Sequence, residues 1–177
     1  VIRTNLDFSS VDEELTSFLV SSASPGEGKS TTAANLAIVI AQTGKKVVLI
    51  DADLRRPVQH KIFNLSNNMG LTTSILDNQT PVTIHLQETK INNLQLLTSG
   101  PIPPNPAELL NSQRMTDVIK EFEDAVDVII FDTPPVLTVA DASIIGPKVN
   151  GALLVIHTGK TRRDSFVNGV ERLSRTG

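Results

Sequence analysis

The sequence contains no cysteine, which excludes disulfide bridges, thiolate nucleophiles and cysteine-based metal sites within these residues. Its three histidines, His60, His85 and His157, are scattered, so we do not expect a zinc site. No apolar run approaches the roughly 18 residues that a membrane-spanning helix needs, and the first residues lack the basic-then-apolar pattern of a signal peptide. We therefore expect a soluble, cytoplasmic chain.

The sequence also has no large excess of positive or negative charge: the formal net charge is −3 and the pI is near 5.6. Such a balance gives no whole-chain attraction to nucleic acid, which is not an expected partner. The 177 residues are 40% hydrophobic, enough to bury one substantial core but not two. We expect a single domain over residues 1–177.

Short apolar runs alternate with helical patterns, which predicts an α/β fold with a mostly parallel central sheet and helices on both faces. The predicted strands are 18–20, 47–50, 94–97, 128–131 and 153–156. The predicted helices are 30–43, 71–77, 107–123, 141–148 and 163–175. Ligands of such sheets bind outside the carboxyl ends of the strands, so the loops there hold the candidate site residues.

The loop after the first predicted strand has the features of a Walker A phosphate-binding loop. Gly26 and Gly28 let successive N–H groups turn toward phosphates, and the start of the next helix favours negative charge. Lys29 is expected to reach the β- and γ-phosphates, and the Ser30 hydroxyl to bind Mg²⁺. Ala23 stands where the common pattern has glycine. The expected nucleotide-binding residues are Ser24, Pro25, Gly26, Glu27, Gly28, Lys29, Ser30 and Thr31.

A phosphoryl-transfer site also needs a carboxylate at a strand end to hold the metal. Asp132 follows four apolar residues and has the position of a Walker B aspartate. Pro134 and Pro135 restrict the turn that leaves it. Asp132 is therefore a candidate metal ligand.

Two further carboxylates, Asp51 and Asp53, end the predicted strand 47–50. Two residues apart on an extended chain, they lie on the same side and both could face the metal and the γ-phosphate. They suit a group that orients or deprotonates an attacking hydroxyl. The alternative is a solvated acidic turn neutralised by Arg55 and Arg56.

Two smaller features have open alternatives. Lys160, Arg162 and Arg163 could meet nucleotide or a neighbouring subunit, or begin a solvated helix. Asp141 is expected to cap the helix after the proline turn, with a role at the metal as the alternative.

Four segments together resemble the bacterial tyrosine kinases of capsular and exopolysaccharide synthesis, which are P-loop NTPases. They are SPGEGKSTT at 24–32, LIDADLRRP at 49–57, GPIPPNPAELL at 100–110 and IFDTPP at 130–135. The resemblance runs from Val1 to Gly177 and includes the start, RTNL at 3–6. Walker A and B motifs are widespread, whereas the Asp-x-Asp-x-Arg motif followed by the proline-rich loop is much more specific.

The resemblance implies ATP and Mg²⁺ as cofactors and a tyrosine hydroxyl of a protein substrate as phosphoryl acceptor. It implies that Asp51 handles the acceptor's proton while Asp53 and Asp132 organise the metal. It also implies a membrane-embedded polysaccharide co-polymerase that activates the kinase at the inner face of the cell membrane. Homo-oligomeric rings whose members phosphorylate one another are a further implication.

Two departures from the family pattern bear on these implications. The family commonly carries a carboxyl-terminal tyrosine cluster, yet this sequence contains no tyrosine. Either a tail beyond Gly177 is missing, as the ending after a predicted helix suggests, or the protein acts only on other substrates or is a regulatory relative. Of the family's amino-terminal oligomerisation helix, only Arg3 is matched, so we do not expect rings of this chain alone.

Two other functions compete with the kinase. A chromosome-partition or septum-site ATPase would typically carry a signature lysine early in the P-loop, where this sequence has Ser24. A nucleotide-sensing scaffold for polysaccharide export would bind ATP without transferring phosphate. Ser24, the Asp51 and Asp53 pair and the proline-rich loop favour the kinase over both.

Overall fold

Six strands form one sheet in the computed structural model, which describes residues 15–175. The expectations about Arg3 and Gly177 lie outside those residues. The strand order is β3-β4-β2-β5-β1-β6, and all neighbours pair in parallel except β3, which is antiparallel to β4. The strands are β1 Ser17–Ser22, β2 Val47–Asp51, β3 Gln87–Glu88, β4 Leu94–Leu97, β5 Val128–Asp132 and β6 Gly151–Val155.

The helices lie in the connections between the strands, except the last helix, which follows β6. The α-helices are α1 Lys29–Ala41, α2 Gln59–Ile62, α3 Leu71–Leu76, α4 Pro106–Asn111, α5 Gln113–Glu123, α6 Asp141–Ile145 and α7 Arg163–Ser174. Single 3₁₀ turns span Val82–His85 and Gly146–Lys148. Within residues 15–175, none of the helices combines the length and the apolar character needed to cross a bilayer.

Two apolar clusters lie on opposite faces of the sheet, because successive side chains of a strand alternate in direction. In β2, Val47 and Leu49 pack with α1 on one face, while Val48 and Ile50 pack with α3, α4 and α5 on the other. All five residues of β2 and of β5 are buried. This is the predicted α/β fold with a mostly parallel sheet, and it is confirmed.

The register of the central strands decides where the site lies. β5 pairs on one side with β2 and on the other with β1. Asp51 at the end of β2 is the register partner of Asp132 at the end of β5. The phosphate-binding loop leaves the carboxyl end of β1, at the same edge of the sheet. Three candidate segments therefore meet at one edge.

Apart from shifts in element ends and the 3₁₀ turn Val82–His85, the structure differs from the sequence-based elements in three places. The predicted helix 107–123 is two helices, because Ser112 is extended and its hydroxyl caps α5 by accepting a hydrogen bond from Met115 N–H at 3.2 Å. The predicted helix 141–148 becomes a 3₁₀ turn after Ile145. The elements α2 and β3 were not predicted, since four and two residues are too short to show a period.

Candidate active site

The loop between β1 and α1 has the backbone that the sequence predicted. Gly26 has a φ of 74° and Gly28 a φ of 89°, a left-handed conformation that other residues rarely adopt. Gly28 is the residue before α1, and no side chain caps the helix there. The first N–H groups of a helix have no partners within it. The start of α1 can therefore bind an anion.

The Lys29 ammonium makes three polar contacts at this edge of the sheet. Its Nζ lies 3.1 Å from Asp53 Oδ2 and 3.3 Å from Asp132 Oδ1. It also lies 3.0 Å from the Ser30 hydroxyl. Burial lowers the pKa of Lys29, but Asp132 and Asp53 together outweigh burial and raise the pKa above its usual value. The ammonium is therefore charged.

Asp132 is fully buried, and its two oxygens have different partners. One oxygen accepts from Lys29, and the other accepts from the side-chain amide of Gln59 at 2.8 Å. Burial raises the pKa of Asp132, although the positive charge of Lys29 opposes this.

Asp51 is also fully buried, but its oxygens face the backbone of its own loop. Oδ2 accepts from the N–H groups of Val58 at 3.0 Å and Gln59 at 2.9 Å, and Oδ1 accepts from Asp53 N–H at 3.3 Å. Burial and then the charge of Asp132 raise the pKa of Asp51 to about 8, although the N–H groups of Gln59 and Val58 favour the charged form. Asp53 contacts Lys29, whereas Asp51 supports the loop that carries Asp53.

The two arginines after this pair bond it through their backbone and not through their side chains. Asp53 Oδ1 accepts from the backbone N–H groups of Arg55 at 3.3 Å and Arg56 at 3.0 Å. The guanidinium of Arg55 instead makes two hydrogen bonds to Asp141. The expectation that Asp141 caps α6 was wrong, because its fully buried carboxylate is occupied by Arg55.

The loop after β6 contacts the phosphate-binding loop through two side chains. The buried Glu27 carboxylate accepts from Ser24 N–H at 2.9 Å and from the Thr161 hydroxyl at 2.6 Å. Lys160 Nζ donates to Gly26 O at 3.0 Å. Lys160 therefore contacts the loop backbone, which neither sequence-based alternative described, while Arg162 and Arg163 are exposed at the start of α7, as the solvated-helix alternative predicted.

A cleft of about 290 Å³ lies over these residues. It is lined by Pro25, Gly26, Gly28, Lys29, Ser30, Thr31, Asp53, Arg56 and Pro135. Six of the predicted nucleotide-binding residues line it, while Glu27 turns its side chain away and Asp51 and Asp132 lie beneath. A larger cavity of about 580 Å³ lies near the start of β2 and β5 and contains none of the motif residues.

Two contributors escaped the sequence analysis, Gln59 and Thr161. Gln59 follows an arginine-proline turn and matches no motif. Thr161 lies 134 positions from Glu27, so no local spacing relates the two. The roles predicted for Asp51, Asp53 and Asp132 concern bound ligands and stay predictions.

Comparison with known proteins places this site in context. A family model described as an AAA domain matches residues 16–147. The chain is 53% identical over 173 residues to the tyrosine-protein kinase YwqD of Bacillus subtilis, covering 98% of this chain and 73% of YwqD. Its structure is similar to the kinase domain of the Escherichia coli tyrosine kinase ETK, with a TM-score of 0.94 and 35% identity. That match covers 99% of this chain and 69% of the ETK chain.

The partition and septum-site ATPases, the alternative to the kinases, give a weaker match. The cell division ATPase MinD of Pyrococcus furiosus has a TM-score of 0.67 and 25% identity, covering 79% of this chain and 58% of that one. Both classes share the fold, and the TM-score and the identity are higher for the kinase domain than for this MinD.

Proposed function

This chain belongs to the bacterial tyrosine-protein kinases with a P-loop fold, and we propose on that premise that it transfers the γ-phosphoryl group of Mg-ATP to tyrosine hydroxyls of proteins. The relatives act in capsule and exopolysaccharide synthesis, and we propose the same process for this protein. The contact of Lys29 with both Asp53 and Asp132 is the observation that carries the proposal.

The residues present fit a magnesium-bound triphosphate. The left-handed glycines and the uncapped start of α1 supply N–H donors for phosphate oxygens. The Ser30 hydroxyl and the Asp132 carboxylate are hard oxygen ligands, of which Mg²⁺ usually takes one or two from a protein. We propose Ser30, Asp53 and Asp132 as the residues that hold the ion. When bound, Mg²⁺ neutralises charge that develops on the transferred group.

Lys29 can exchange partners when nucleotide binds. In this structure its ammonium is neutralised by two carboxylates at about 3 Å. The β- and γ-phosphates would offer the same ammonium acceptors of higher negative charge, which would leave Asp53 and Asp132 free to hold the metal. This charge balance explains why one lysine and two aspartates are needed together.

The transfer itself needs a position for the acceptor's proton. The tyrosine oxygen forms a bond to the γ-phosphorus while the bond from that phosphorus to the bridging oxygen of ADP breaks. The phenolic proton passes to a carboxylate, for which we propose Asp51, as in the family pattern. A pKa of about 8 leaves Asp51 mostly protonated at neutral pH in the nucleotide-free protein, so it can accept the phenolic proton only after it has lost its own. Its burial means that it acts on the acceptor only if the loop 52–58 shifts.

We also propose where the protein works. The family pattern includes a membrane-embedded polysaccharide co-polymerase that activates the kinase. We propose that this chain is cytoplasmic and reaches the inner face of the membrane through such a partner. The exposed Ile102 of the proline-rich loop is available to a neighbouring protein, including another copy of the chain.

The absence of tyrosine in the 177 residues makes the assay clean, because phosphotyrosine can form only on an added acceptor. The assay contains labelled ATP, Mg²⁺, a tyrosine-containing copolymer and the part of the co-polymerase that activates the kinase. We expect label on tyrosine. Lys29→Met is expected to reduce transfer by at least about 100-fold. Lys120→Met, at an exposed position on α5, is the matched control and should not change it.

Other results would support the competing functions. Release of free phosphate that DNA or lipid stimulates, without labelled tyrosine, would favour a partition-type ATPase. Binding of ATP with neither transfer nor hydrolysis would favour a scaffold.

A further inference from the structure

Gln59 is the first residue of α2 and belongs to none of the sequence motifs. It is completely buried, although glutamine is mostly exposed in proteins. A buried amide needs partners for its hydrogen-bonding groups, so the partners indicate why it is there.

The partners of Gln59 belong to three different parts of the site. Its side-chain Nε2 donates to Asp132 Oδ2 at 2.8 Å and to the backbone carbonyl of Ser30 at 2.9 Å. Its backbone N–H donates to Asp51 Oδ2 at 2.9 Å. One residue thus joins the end of β5, the first turn of α1 and the end of β2.

These contacts restrict the orientation of Asp132. Lys29 bonds one carboxylate oxygen and Gln59 bonds the other, so the plane of the carboxylate is fixed from both sides. Because Gln59 is neutral, it holds the carboxylate without cancelling its charge. A cationic residue in the same place would compete with a metal ion for that charge.

The other polar atom of the Gln59 side chain has no partner within residues 15–175. Gln59 Oε1 is buried and has no hydrogen-bond partner among the described residues. An unsatisfied buried acceptor is unfavourable, so the amide is retained for its donor group, which bonds Asp132 and Ser30.

We propose that Gln59 is a positioning residue that pre-aligns Asp132 and Ser30 for the magnesium ion of Mg-ATP. The inference rests on the proposed function only in taking these two residues as the metal site. Partners of metal ligands commonly change metal affinity by about 10- to 100-fold when they are removed.

The test separates metal binding from nucleotide binding. Gln59→Met keeps the side-chain length and removes both donors, and Gln59→Asn keeps the amide but is one methylene shorter. Titration of the ATP-saturated protein with Mg²⁺, followed with a fluorescent ATP analogue, should show half-saturation at roughly 10-fold higher Mg²⁺ in both variants. In EDTA, which removes Mg²⁺, the affinity for ATP should change by less than about 3-fold, since neither variant removes a hydrogen bond to the phosphates or to the base.

Ser74→Ala is the control, because it removes a buried hydroxyl of α3 that bonds Gly70 O and His85 Nδ1, away from the cleft. It should lower stability without shifting the Mg²⁺ titration. Equal losses of affinity with Mg²⁺ and with EDTA, or an unshifted titration in folded Gln59→Asn, would overturn the inference. The Mg²⁺ titration needs no acceptor tyrosine, so its result does not depend on phosphoryl transfer. Wild-type protein that binds Mg-ATP but never labels an added tyrosine copolymer refutes the proposed function and leaves this inference standing.

Discussion

Arg55 and Asp141 form a two-point ion pair, with Nε 2.9 Å from Oδ2 and Nη2 3.1 Å from Oδ1. The arginine side chain is 39% exposed, while the aspartate side chain is fully buried. The pair joins the loop that carries Asp53 to the start of α6. A planar guanidinium can make both bonds at once, whereas the ammonium of a lysine cannot.

Arg55→Met is expected to destabilise the domain by about 2 kcal/mol or more in urea denaturation, because it leaves a buried carboxylate without its partner. Arg55→Lys should recover part of that loss. The double variant Arg55→Met with Asp141→Leu is expected to be more stable than Arg55→Met alone, since it leaves no buried charge behind. Strictly additive losses would contradict this coupling.

Thr161→Val is expected to weaken nucleotide binding although Thr161 is not a motif residue. The change removes the hydroxyl that donates to buried Glu27 and accepts from His157 N–H, so the phosphate-binding loop loses a support. We expect ADP affinity to fall by about 5-fold, the equivalent of about 1 kcal/mol. Thr158→Val, an exposed position in the same loop, should bind like wild type. Calorimetric titration of both variants measures the difference.

The stability of the nucleotide-free protein should fall with rising pH through Asp51. Its pKa is about 8 in the folded protein against 3.8 for a free side chain, so the folded state binds the proton more tightly. The contribution is fully present below about pH 4 and is lost as the pH rises through about 8. Melting temperatures between about pH 5 and pH 8 should therefore decline more steeply for wild type than for Asp51→Asn. Parallel curves would show that Asp51 is already ionised in the folded protein.

Gly70→Ala should be far more harmful than Gly44→Ala. A Cβ at Gly70 would lie 2.1 Å from the carbonyl oxygen of Thr98 and 2.5 Å from the backbone nitrogen of Gly100, neither of which can rotate away. We expect a loss of about 3 kcal/mol or more. At Gly44 a Cβ meets nothing within 4 Å, and only the positive φ of 92° opposes it, at a cost of about 1 kcal/mol. Denaturant midpoints with unchanged m-values measure both.

The sequence predicted the layers of the fold because its strands are short buried runs. The runs 47–50 and 128–131 match β2 and β5 apart from the final aspartates. Walker A was recognisable because glycine, lysine and serine occupy neighbouring positions, so the motif is local. Their meeting with Asp53 and Asp132 followed from the rule on strand ends.

The contacts that the sequence did not predict join distant segments. Gln59 reaches Asp132 across 73 positions, and Thr161 reaches Glu27 across 134. Neither pair has a repeated spacing or a special residue type. The direction of Asp51 was equally hidden, because alternation along a strand does not extend into the loop that turns back over it.

The register between β2 and β5 links correct folding of the sheet to a working site. A shift of one residue between these strands would move the side chains of one of them to the opposite face of the sheet. If β5 were the strand that shifted, Asp132 would point to the wrong side and Lys29 would lose a counter-ion. A misaligned sheet is thereby also a protein without a working site, so a probe that reports ligand capture reports the correct assembly of the core as well.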